Sequence, residues 1–167
     1  MKRIALILSV GLFLLTSCVY ESGVSEAYSK YRFKDGVTTV TVPGWVIHLA
    51  AGIGDLEDSE RDLLKSIDGV KVIAVEDDNL NARVDLHEEF YKKISEKKNY
   101  EQLLVVREED HNVTIFGRMD ESVIKEMVIL VGGEDNAMVY VKGEISPEIL
   151  NNQIDISNPN RFLSFKH

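Results

Sequence analysis

Between Leu103 and Val141 the chain carries four strand-like runs with no room between them for a crossover. They are Leu103–Val106, Val113–Phe116, Val123–Val131 and Ala137–Val141, separated by turn-rich Glu108–Asn112, Gly117–Ser122 and Gly132–Asn136. A parallel neighbour needs a connection of a dozen or more residues, so short turns imply antiparallel pairing and a meander. The first half of the chain differs. Val37–Val42 is rich in β-branched residues and reads as a strand ended by Pro43, which cannot donate to a ladder. Apolar Trp45–Ala51 reads as a short buried helix. Leu56, Leu63, Leu64 and Ile67 fall on one helical face, and Asp68-Gly69 stops that helix before a second strand at Val70–Val75. Leu86, Phe90 and Ile94 predict a helix over Ala82–Lys97. Ser146-Pro147 opens a last one, docked by Ile149, Leu150 and Ile154. This pattern predicts a single α+β domain: a mostly antiparallel sheet with a C-terminal four-strand meander and helices packed on one face.

The start of the chain constrains where that domain works. Lys2 and Arg3 precede an apolar run from Ile4 to Leu15, and Leu15-Thr16-Ser17-Cys18 follows. The run is shorter than the roughly 20 residues that span a bilayer, and its flanks are those of a secretory signal. Small Ser17 suits a peptidase, and the Cys18 thiol is the nucleophile that would take diacylglycerol as a thioether. The expected organisation is a signal peptide over 1–17, lipidated Cys18 with a tether over 18–35, a domain over 36–155, and a tail over 156–167. Cys18 is the sole cysteine, so no disulfide is expected.

Removing Lys2 and Arg3 leaves 17 basic residues against 28 acidic, a net charge of −11 before histidine is counted. Such a field repels nucleic acid and anionic headgroups, so nucleic acid is excluded as a partner. Membrane attachment is expected through the lipid on Cys18, with no basic patch or apolar helix to share the task. Val19, rather than aspartate, after the cysteine favours the outer membrane of a bacterial envelope and leaves the leaflet open.

The local candidate for a ligand site begins at Asp77. Asp77, Asn79, Asn81, Asp85 and Glu88 occupy positions one, three, five, nine and twelve of a twelve-residue loop, as oxygen ligands do in an EF-hand calcium site. Ala82 stands where that loop needs glycine, and a strand precedes it instead of a helix. The competing reading is an acidic loop in which Asp85 caps the next helix and Glu88 completes a capping box. His48, His87, His111 and His167 show no metal-ligand spacing, and His48 reads as a core histidine. No serine lies in a Gly-x-Ser-x-Gly elbow and no phosphate loop is present. The acidic pairs Glu108-Glu109 and Asp120-Glu121 read as solvated turns. No cofactor is expected. A non-catalytic binding module with an envelope protein partner is the preferred reading, offering a sheet face or edge: the long apolar run Met127–Val131 lies in the meander, and a meander that ends in an exposed edge could accept a partner strand. An envelope sensor or regulatory accessory protein, calcium-loaded through the same loop, is the alternative, ahead of a hydrolase.

In order and texture the chain resembles the domain of unknown function 4252 family of envelope lipoproteins, common in Bacteroidota. The resemblance rests on Leu15-Thr16-Ser17-Cys18, which is similar to the lipobox of bacterial lipoproteins, the Gly69-Val-Lys-Val-Ile strand, Tyr100-Glu-Gln-Leu-Leu-Val-Val-Arg, Val123–Val131 and Val139–Ile145. It covers about Cys18 to Ile154. It implies an address and a fold and no catalytic residue.

Overall fold

The structure, a computed structural model, describes residues 23–153 with the exception of Asp110. In chain order it contains α1 (Gly23–Tyr31), β1 (Val37–Pro43), α2 (Gly44–Ile53), α3 (Asp58–Lys65), β2 (Ile67–Val75) and α4 (Asp78–Asn81). Then come α5 (Leu86–Ser95), β3 (Glu101–Arg107), β4 (His111–Asp120), β5 (Val123–Gly133), β6 (Ala137–Ile145) and α6 (Pro147–Gln153). The signal, Cys18, Ile154 and the expected tail lie outside the described residues.

The six strands form one open antiparallel sheet in the order β1-β2-β6-β5-β4-β3. The expected meander is β3 to β6, each hairpinned to the next. The long apolar run Met127–Val131 lies in β5, between β4 and β6; the edges are β1 and β3, so the meander ends in an edge at β3.

Helices cover both faces of the sheet rather than one. On the first face α1 and α5 contribute Val24, Ala27, Tyr31, Leu86, Phe90 and Ile94, which pack on Ile73, Phe116, Val128, Leu130 and Met138. On the second, Leu63 of α3 and Leu150 of α6 meet Ile115, Met127, Val141 and Ile145. The reason lies in the meander itself. Val113–Gly117 is buried without a break, and β5 and β6 supply apolar residues to both faces, so neither face can be left to water.

The stretch expected as a tether is helix α1 from Gly23 onward. Val24, Ala27 and Tyr31 fall at helical spacing and are buried. Tyr31 meets the Phe90 ring edge-on at 6.2 Å and donates its hydroxyl to Glu89 at 2.7 Å, while Lys30 reaches the same carboxylate at 2.6 Å. The helix expected from Ala82 starts at Leu86, because Asp85 is its N-cap and accepts the Glu88 N–H at 2.8 Å. Ser146 accepts the Glu148 N–H at 3.3 Å, as the cap read from the sequence requires.

One close approach locks the two halves of the sheet together. At the β2 bulge between Ile67 and Gly69, Glu144 donates its N–H to the Ser66 carbonyl at 2.8 Å. A Cβ on neighbouring Gly143 would stand 2.1 Å from that carbonyl oxygen and 3.0 Å from Ile67 Cα. Both obstacles are backbone and neither can rotate away. Gly143→Ala is therefore expected to destabilise the fold by about 1–3 kcal/mol, the usual cost of overpacking. Thermal melting measures it, and an unchanged Tm would show that this crossing has slack.

Candidate functional site

Helix α2 carries the most anomalous surface among the described residues. Its ten residues, Gly44 to Ile53, include no charged side chain. Gly44 starts it hard against β2: a Cβ there would lie 2.6 Å from the Asp68 carbonyl oxygen. His48 donates its Nε2–H to the Ile67 carbonyl at 2.9 Å, and Arg61 of α3 donates to the Ala51 carbonyl at 3.3 Å. These contacts turn only Ile47 and Ala51 inward. Trp45, Leu49 and Ile53, spaced four apart on the outer face, are 69%, 57% and 80% exposed. The short buried helix expected from the sequence is thus a helix with an exposed apolar stripe. His48 is exposed on it rather than in the core. Isolated exposed apolar residues are ordinary; a contiguous, charge-free helix face is the kind that binds something.

The polar groups of the first sheet face have a different character. Arg118 and Glu126 stand directly opposite on β4 and β5, and Arg118 Nη2 donates to Glu126 Oε1 at 2.7 Å. The Tyr100 hydroxyl donates to Glu126 Oε2, and the Tyr140 hydroxyl on β6 stands close enough to the carboxylate to favour its ionised form. Burial opposes ionisation of Glu126, but the bonds from Arg118 and Tyr100 outweigh it and hold the carboxyl below its ordinary range. Burial and the neighbouring carboxylate push the Tyr100 hydroxyl far up, and Tyr140 up to about 12. The carboxylate is therefore ionised and surrounded by donors that already spend their protons on it. It works as a brace across β4, β5 and β6.

On the same face, His87 Nε2 lies 2.8 Å from the Thr114 hydroxyl, and its ring stacks on Tyr91 at 5.4 Å. Burial lowers the His87 pKa. The Asp85, His87 and Thr114 side chains suggest a nucleophile–base pair, but the Thr114 hydroxyl is wholly buried and Asp85 is engaged as a helix cap. No substrate carbonyl could reach that hydroxyl. The described residues also line two surface clefts. One of about 420 Å³ lies between α1 and the start of α5, lined by Lys30, Lys34, Arg83, Asp85 and Glu88. Another of about 380 Å³ lies over β1, β2 and β6, lined by Thr41, Asp68, Lys71, Tyr140 and Lys142.

The EF-hand spacing does not assemble a ring of ligands. Asp77 caps α4, accepting the Leu80 N–H at 2.8 Å, and Asp85 caps α5. Asn81 donates to the Glu134 carbonyl and accepts from Asn136 at 2.9 Å, while Asn79 offers its backbone carbonyl to Arg83 at 2.7 Å. Glu88 faces the first cleft, exposed. Residues 78–81 form a helical turn where the calcium loop would need its open wrap, and Ala82 adopts a right-handed conformation in place of the glycine bend. Among the described residues no group of three or more His, Cys, Asp or Glu is placed to hold a metal ion. His111 begins β4 beside the hairpin, and Asp120 and Glu121 sit exposed in the β4–β5 turn.

Comparison with known proteins adds one finding. The model of a family described as Domain of unknown function (DUF4252) matches residues 31–152. No curated protein and no solved structure matches the chain.

Proposed function

The chain belongs to the DUF4252 family, and from that premise we propose that it is a lipid-anchored envelope lipoprotein whose domain works by non-catalytic binding. The observation that carries this reading is the exposed, charge-free stripe of Trp45, Leu49 and Ile53 on α2; the other large apolar side chains exposed among the described residues are Phe33, Val40 on edge strand β1, and Leu103 and Val105 on edge strand β3. The engagement of Glu126, His87 and Asp85 in structural hydrogen bonds supports the same reading. Exposed apolar area of this kind gains free energy only when something displaces its water.

A photo-reactive residue at position 49, compared with one at exposed Lys98, tests it in living cells. Adducts to lipid or protein well in excess at position 49 are expected. Equal yields at the two positions would remove α2 as a binding surface.

A further inference from the structure

We propose that the apolar face of α2 seats on the surface of the same bilayer that receives the lipid of Cys18, so that the domain docks on the membrane rather than hanging free of it. The inference rests on the anchor reading and adds an orientation to it.

The placement follows from how α1 enters the fold. Helix α1 runs antiparallel to β1: a turn closed by Val37 N–H to the Lys34 carbonyl at 3.2 Å reverses the chain, and the Tyr28 and Thr41 hydroxyls meet at 2.8 Å. The start of α1 at Gly23 therefore lies toward the end of β1 at which Pro43 hands over to α2. Residues 19–22 alone separate Cys18 from Gly23, and at ~3.3–3.6 Å per residue they cannot carry the domain far from its anchor. The end of the sheet nearest the bilayer is the end that bears Trp45.

The chemistry of the helix fits that occupant. Seating it desolvates no charge, and an amphipathic Trp side chain suits the boundary between headgroups and acyl chains. The acyl chains hold the protein in place, so a helix of ten residues need only orient it. Asp55, Glu57 and Asp58 follow α2 immediately, and the whole chain is acidic, so the surface it fits is zwitterionic rather than anionic.

Trp45 is the chain's sole tryptophan, which makes the test direct. The full lipidated protein is placed in phosphatidylcholine vesicles whose acyl chains carry bromine, a contact quencher of indole. Co-flotation reports the anchor and loss of Trp45 emission reports the seat. The expected result is flotation with most of the emission lost. The double variant Leu49→Glu, Ile53→Glu, checked for an unchanged melting curve, is expected to float and to regain its emission. Flotation with unquenched Trp45 would overturn the seat and leave the anchor standing. Emission that is blue-shifted, unquenched and dependent on protein concentration would overturn it in favour of a second copy. Failure to float would remove the anchor and this inference with it.

Discussion

Glu126→Ala is expected to lower the stability of the domain by about 2–3 kcal/mol, one of the two largest effects of any single substitution considered. Removing one member of a buried ion pair costs ~3–5 kcal/mol when the partner charge is left in the interior. Arg118 keeps 28% of its side chain in contact with solvent, which places this case at or below the low end. The loss is compounded, because the Tyr100 hydroxyl loses the same acceptor. Urea denaturation measures it as a lower midpoint at unchanged slope, and a midpoint within error of the wild type would refute the brace.

The same cluster shapes the pH dependence, and the two limbs have opposite signs. Glu126 is depressed in the fold, so its stabilisation is present above the unfolded value near 4.5 and is lost as pH falls through the lower folded value. The tyrosines are raised, so their contribution is present below about 10 and is lost as pH rises toward about 12, where Tyr140 ionises. Glu126→Gln is expected to flatten the acid limb and to lower the pH at which the tyrosines titrate.

Cys18→Ala is expected to move the protein out of the membrane fraction almost completely. Each buried methylene of an acyl chain contributes about 0.8 kcal/mol, so no contact made by a ten-residue helix face replaces two or more chains. Fractionation with detection of the domain is the measurement. A variant that stays fully membrane-bound would refute lipidation at Cys18, and it would do so whatever the role of α2.

The meander was legible because its signals are local. Glycine-rich turns at Gly132-Gly133 and polar turns at Asp120–Ser122 bound runs of β-branched residues, and both features survive any context. Helix α1 was not legible as part of the domain. Its buried face is only Val24, Ala27 and Tyr31, set among serines and charges, a pattern too thin to separate from a polar linker. Helix α2 misled for the opposite reason. Composition announced an apolar segment, and apolar segments are ordinarily buried, but exposure is decided by what packs on top, and only the fold shows that none of the described residues covers Trp45, Leu49 and Ile53. The Glu126 brace escaped notice because Tyr100, Arg118, Glu126 and Tyr140 share no motif. Strand register sets Arg118 opposite Glu126 and Tyr140 diagonally from it on β6, and Tyr100 arrives from the turn before β3. The spacing from Asp77 to Glu88 was real, yet the same oxygens that ligate an ion also cap helices, and here two of them cap.

The strand that makes the sheet one object is the last of the described strands to be synthesised. β6 lies between β2 and β5, so a chain synthesised only as far as Gly133 holds the β1–β2 pair and a three-strand piece that no strand joins. Each piece has a bare edge and half a core. Closure must wait for Ala137–Ile145 and must bridge most of the domain's length in one step, which favours slow, late, all-or-none folding. For as long as those residues are missing, the two pieces keep open edges and uncovered apolar surface, the features that make partly folded chains aggregate.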